Sequence, residues 1–183
     1  MMFGKALKIG IIAALGIGLQ LISLGGVFAE PSSSTVTTAS GGYSARFRVE
    51  GSVANPTTFT LSKLQALPPT SENVFFYTGQ GPVSSKFTGV LLWDLLNSVG
   101  VKTDPSIKND IINKWLVVTG SDGYTVTISA GELDPSFGGQ QVLVAYAQDG
   151  KLLGADTGFA RLIFPGDKAG ARDAFWITSI KVH

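Results

Sequence analysis

The chain has 183 residues, with 14 Lys+Arg against 13 Asp+Glu, no cysteine and one histidine. So even a charge balance argues against nucleic acid or a strongly anionic membrane surface as partner, because both call for a basic face. Without cysteine, and with His183 as the last residue, zinc, haem and iron–sulfur ligation lack their side chains, and a serine hydrolase lacks its internal base.

At the N-terminus, Lys5 and Lys8 precede an apolar run from Ile9 to Phe28 that is broken only by Gln20, Ser23 and glycines. Val27-Phe28-Ala29 then offers the positions a signal peptidase inspects. Residues 1–29 therefore read as an export signal cleaved after Ala29, placing the protein in the periplasm or outside the cell. An uncleaved membrane anchor is the alternative. Loss of Lys5 and Lys8 takes the 14 basic residues to 12 against 13 acidic ones. An exported chain without disulfides must rely on its core alone. Residues 30–45 are rich in Ser, Thr and Gly and read as a flexible linker, with one folded domain over residues 46–183.

The domain opens on Phe47, Val49 and Val53 around Gly51, a short strand followed by a turn at Asn55-Pro56. Thr60 or Ser62 can cap a helix running to Leu67, stopped by Pro68-Pro69. Val74 to Tyr77 reads as a buried strand, and Thr78-Gly79-Gln80-Gly81-Pro82 as a loop rich in breakers. Leu92, Leu95, Leu96 and Val99 share one helix face, with Gly100 as the stop. Trp115–Thr119 and Tyr124–Ile128 flank Ser121-Asp122-Gly123 as a hairpin. Val142–Tyr146 and Lys151–Leu153 flank Asp149-Gly150 as a second. Trp93, Trp115 and Trp176 are spaced as core residues. Asp122, Glu132 and Asp134 fit no calcium loop and read as solvated turn carboxylates. Strands outnumber helices and tight turns join them, so the expected class is α+β with a mainly antiparallel or mixed sheet.

Near the C-terminus, Arg161 opens the apolar run Leu162-Ile163-Phe164. A buried arginine must reach a carboxylate, carbonyls or a bound anion. Pro165-Gly166 and Gly170 allow sharp turns that leave amides free, and Lys168 and Arg172 add positive charge. An anion-binding loop built from Arg161, Gly166, Lys168, Gly170 and Arg172 is one reading. The other is a turn in which Asp167 and Asp173 neutralise the basic side chains.

The run Gly158-Phe159-Ala160-Arg161-Leu162-Ile163-Phe164-Pro165-Gly166, with Gly170-Ala171-Arg172 and Trp176-Ile177 after it, resembles the C-terminal signature of the molybdopterin-binding domain of the sulfite oxidase family. Val49-Glu50-Gly51-Ser52-Val53, Phe87-Thr88-Gly89-Val90-Leu91-Leu92 and Gly150-Lys151-Leu152-Leu153 are similar to earlier parts of that domain, in its order. The resemblance implies the family's fold as a single domain, with molybdopterin as ligand and with Arg161 and Arg172 facing it. It also marks departures. The family's molybdenum-binding cysteine belongs to the loop that here reads Tyr77 to Ser84, which offers only hydroxyls and amides. Neutral groups substitute poorly for a soft thiolate, so no metal ligand is assigned. Thr157 stands where a histidine is usual, and Phe175 where a lysine is.

Three functions remain open on these residues. The first is binding of a pterin-type cofactor or other anionic small molecule without the cysteine–molybdenum bond. The second is a molybdenum oxidoreductase with a non-cysteine metal site. The third is a non-catalytic scaffold for an envelope redox or other protein partner. A groove lined by Arg161, Lys168 and Arg172 favours the first, and a groove filled by Phe175 or Tyr77 the third.

Overall fold

The computed structural model describes Gly42 and residues 44–183; the export signal expected over residues 1–29, and most of the linker expected over 30–45, lie outside the described residues. Chain order runs β1 (Arg46–Gly51), β2 (Thr57–Thr60), α1 (Leu61–Gln65), β3 (Thr70–Thr78), β4 (Gly81–Leu91), α2 (Leu92–Val99), β5 (Trp115–Gly120), β6 (Thr125–Ser129), α3 (Ala130–Leu133), β7 (Leu143–Gln148), β8 (Lys151–Leu152), β9 (Arg161–Ile163) and β10 (Ile177–Val182). Short 3₁₀ turns at Asp110–Asn113 and Gly170–Arg172 precede β5 and β10.

Two five-stranded sheets result. The first has the order β2-β1-β10-β5-β6. In it β1 and β10 run parallel, and the other pairs are antiparallel. The second has the order β3-β4-β7-β8, with β9 also on β7, and is antiparallel throughout. The expected α+β class with mixed and antiparallel sheets is the one observed.

Alternation along the strands decides what is buried. Phe47, Val49, Leu116, Val118 and Ile180 of the first sheet join Val90, Val144 and Leu162 of the second in the main core. Helix α2 fits there because Leu92, Leu95, Leu96 and Val99 fall on one face, all fully buried. On its opposite face the second sheet carries a smaller cluster of Val74, Phe76, Phe87, Leu143, Ala145 and Ile163. That smaller cluster underlies the candidate site.

Both expected hairpins form, and α1 starts as expected on the Thr60 cap, whose hydroxyl accepts from the Lys63 amide. Other expectations need correction. The stretch Val74 to Tyr77 is buried on one face only, since Phe75 and Tyr77 are more than half exposed. The breaker-rich loop shrinks to a two-residue turn, Gly79-Gln80, because Thr78 and Gly81 already pair. Of the three tryptophans only Trp93 packs against the main core. Trp115 lies on the solvent face of β5 and stacks on His183, with ring centroids 5.3 Å apart. Trp176 is half-buried and donates its indole N–H to the Ala155 carbonyl at 2.6 Å.

Candidate functional site

Strand β9 begins beside Ala145 of β7, which turns the Arg161 side chain onto the smaller apolar cluster. The residue is only 6% exposed. Its guanidinium carbon stands 5.2 Å from the ring centroid of Phe87 and 4.1 Å from that of Phe175. Such stacking favours a cation in an apolar setting. Nη2 stands 3.5 Å from Oδ2 of Asp173, near enough for attraction. The geometry is too poor for a hydrogen bond, so Nε of Arg161 and Oδ2 of Asp173 are both buried without a partner. The other Asp173 oxygen accepts from the Phe164 amide at 3.0 Å.

Burial disfavours charge on both members of this pair. It lowers the basicity of Arg161, which Asp173 partly restores. It raises Asp173 to about 6, against the Phe164 amide and Arg161, which favour the ionised form.

Above the pair opens a cleft of about 850 Å³. Phe76, Val83 and Phe175 give it apolar walls, Thr78, Gln80 and Gln148 supply neutral polar groups, and Arg161 is its one charged lining residue among those described. The β3–β4 hairpin tip forms one side. It is held by the Thr78 hydroxyl, which donates to the Gly81 carbonyl and accepts from the Gln80 amide. The segment from Ala169 to Phe175 forms the other side, tied to the hairpin where the Tyr77 amide donates to the Lys168 carbonyl at 2.9 Å.

The residues expected to form an anion loop are therefore divided. Arg161 and Gly170 line the cleft. Gly170 lies directly on Phe76, where an added Cβ would stand 2.8 Å from the ring. Gly166 makes the turn after β9, with φ at +94° and open space around it, which explains the glycine there. Lys168 is exposed, and the cleft lining does not include it. Arg172 is spoken for elsewhere. Its Nε and Nη2 bind the two carboxylate oxygens of Asp167 at 2.8 and 2.7 Å, and its Nη1 binds Glu132 at 2.9 Å. Its guanidinium also stacks 4.0 Å from the Phe164 ring centroid.

Glu132 is thus a partner of Arg172, correcting its reading as a solvated turn carboxylate. Asp122 and Asp134 do serve turns, accepting from the Tyr124 and Ser136 amides. Among the described residues no three His, Cys, Asp or Glu side chains converge on a metal-sized space. Sequence reasoning assigned no cleft role to Phe76 or Gln148. Gln148 carries a signal that could have marked it, a polar residue closing the apolar run Leu143 to Ala147.

Comparison with known proteins sets this cleft in context. The family model described as the oxidoreductase molybdopterin binding domain matches residues 37–183. A nitrate reductase [NADH] from Ulva prolifera is 36% identical over 114 residues, 58% of this chain and 13% of that protein. A nitrate reductase [NADH] from Volvox carteri is 30% identical over 163 residues, 75% of this chain and 18% of that protein. The chain thus spans less than a fifth of the length of these relatives. Among solved structures, the sulfane dehydrogenase SoxCD from Paracoccus pantotrophus shares the fold, with a TM-score of 0.62 and 22% identity over 75% of this chain and 38% of that one. The chain belongs to the oxidoreductase molybdopterin-binding domain family, of the sulfite oxidase type.

Proposed function

We propose that this domain binds a pterin-type cofactor or another anionic small molecule in the cleft over Arg161, without a cysteine–molybdenum bond. The observation that carries this reading is the mostly buried guanidinium of Arg161, which lines the cleft and makes no side-chain hydrogen bond among the described residues. A largely desolvated donor left unpaired costs about 1–3 kcal/mol, and an acceptor on a ligand that reaches the terminal nitrogens would recover it. Flat apolar walls suit a planar ring.

The residues fit the organic part of molybdopterin better than its metal. Phe76, Val83 and Phe175 would face the ring, and Arg161 an oxygen on it. The cleft's other side-chain donors are hydroxyls and amides, a hard and neutral set that does not match molybdenum's thiolate preference in this family. No reaction step is therefore assigned through the metal.

We place the domain outside the cytoplasm on the strength of Lys5, Lys8, the apolar run to Phe28 and the site after Ala29. N-terminal sequencing of protein recovered from the cell envelope should then begin at Glu30. The ligand is tested by purifying that protein from a cofactor-competent bacterium. Elemental analysis should find less than stoichiometric molybdenum, while fluorescence of the denatured extract should find a pterin or the native protein should bind one. Stoichiometric molybdenum would overturn this reading in favour of a non-cysteine metal site.

A protein-partner role is the second reading. It is favoured by Phe75 and Tyr77, an edge-to-face pair with ring centroids 5.3 Å apart, both more than half exposed on β3. Such rings resemble the anchors of protein interfaces.

A further inference from the structure

We infer that strand β3 is a docking edge at which two copies of this chain pair, antiparallel and across a twofold axis centred on Asn73. Such pairing is independent of what the cleft binds. Strand β3 is the outer strand of the second sheet and runs nine residues, Thr70–Thr78. The other outer strands are shorter: β2 has four residues, β6 five, β8 two and β9 three. Native proteins blunt long edges with lysine, proline or a cover, because an open edge recruits another strand. Strand β3 holds neither lysine nor proline.

The direction of its backbone groups follows from the hairpin. Thr78 and Gly81 flank a two-residue turn, so they bond to each other, and Phe76, Val74, Glu72 and Thr70 also bond towards β4. The residues between them turn their N–H and C=O outward. Pro82, which has no N–H to give, accordingly stands opposite Tyr77. The Tyr77 amide likewise donates outward, to the Lys168 carbonyl. The outward backbone groups of Ser71, Asn73 and Phe75 meet no partner among the described residues.

The open stretch is closed at both ends. Pro68-Pro69 precedes it and cannot donate, and the Lys168–Ala169 segment covers Tyr77. What remains, Thr70 to Phe76, is symmetric about Asn73. Antiparallel pairing there sets Ser71 opposite Phe75 of the second copy and Asn73 opposite its own counterpart, with about six interstrand hydrogen bonds. Charge selects the same arrangement. Glu72 lies near one end of the edge and Lys168 at the other, so antiparallel copies bring opposite charges together. Parallel copies would bring like charges together. Phe75, more than half exposed, gains cover from the second copy. Each copy offers one such edge, so the assembly closes at two.

The test is sedimentation of the protein recovered from the cell envelope, over a concentration series. The mass should be that of a monomer at about 1 µM and of a dimer at about 100 µM, as suits a small interface. Asn73→Pro should stay monomeric at about 100 µM, because the N–H it loses points away from β4. Asn73→Lys, at the same exposed position, sets like charges face to face across the axis without constraining the backbone. It should weaken association by about tenfold or more. Circular dichroism and thermal melting of each variant establish its fold. The chain has no cysteine, so Asn73→Cys reports a single position. Mild oxidation should link that variant into a covalent dimer about tenfold faster than Lys108→Cys, an exposed site elsewhere.

A monomer at every concentration overturns the inference, as does a dimer undiminished in folded Asn73→Lys. An open-ended assembly larger than a dimer overturns the twofold pairing. Equal rates of cross-linking in Asn73→Cys and Lys108→Cys overturn the placement of the axis, and the inference with it.

Discussion

At the scale of single residues, two arginines that sequence alone would treat alike have opposite fates. Arg161 is buried and incompletely paired, whereas Arg172 is partly exposed and fully bonded. The difference gives two predictions. Burial lifts Asp173 from 3.8 to about 6, so the folded state holds this proton more tightly than the unfolded chain. The stability due to that protonation is complete below about pH 3.8 and is lost as pH rises through about 6. Asp173→Asn removes the dependence. The stability of the unaltered protein relative to Asp173→Asn should thus fall by about 2–3 kcal/mol from pH 4 to pH 7 in urea unfolding. A flat difference across that window would show that Asp173 is not desolvated as described. Arg172→Ala should cost about 1–3 kcal/mol by removing the Asp167 fork, the Glu132 bond and the Phe164 stack, with some of the ionic share screened by solvent. Arg172→Lys should recover only part of it. Ligand affinity at the cleft should not move in either variant; loss of binding with the fold intact would return Arg172 to the site.

At the scale of elements, the β4–β7 ladder explains a glycine that the family resemblance only marked. Register slips between Thr88 and Gly89, where Tyr146 of β7 is the extra residue, and the slip lets the consecutive Tyr146 and Ala147 both join the main core. A Cβ at Gly89 would stand 2.3 Å from the Val144 carbonyl oxygen and 2.5 Å from the Ala145 Cα. Both are backbone atoms of β7, so nothing flexible can yield. Gly89→Ala should therefore cost about 3 kcal/mol or more, read as a drop in urea midpoint. Gly154→Ala, with nothing within 4 Å of the added atom, is the control and should change stability by about 0.5 kcal/mol or less. Equal effects in the two variants would dismiss the close approach. The same elements show what the sequence makes legible. Helix α2 and both hairpins could be read because their patterns are local: a 3.6-residue apolar face, and turn residues between apolar runs. The exposed face of β3 could not, because four consecutive bulky residues look buried until the pairing register assigns them to faces. The site divides in the same way. Arg161 is legible as a charge opening an apolar strand, with Asp167 and Asp173 close by in sequence to neutralise the basic side chains. The capture of Arg172 also needs Glu132, which is 40 positions away in sequence and reaches it only through the tertiary fold.

At the scale of the whole molecule, the order of strands makes the first sheet depend on its last element. Strand β10 lies between β1 and β5, parallel to the first and antiparallel to the second. The domain's first and last strands are thus hydrogen-bonded neighbours, a non-local pairing that local helix and hairpin signals do nothing to secure. Ile177, Ile180 and Val182 each bury almost their whole surface there. At about 1.5–3 kcal/mol apiece, their loss alone is of order 5–9 kcal/mol, comparable to the whole stability of an ordinary domain. Removing them would also leave the ladder edges of β1 and β5 unpaired beside an open core. A chain ending at Trp176 should therefore show no cooperative thermal transition by circular dichroism and should lose its near-ultraviolet signal. Deleting His183 alone forfeits the Trp115 stack and the hydrogen bond that its backbone N–H donates to the Trp115 carbonyl, and should lower the melting temperature by no more than about 5 °C. If the chain ending at Trp176 melted as cooperatively as the full chain, β10 would be peripheral and the first sheet would close without it.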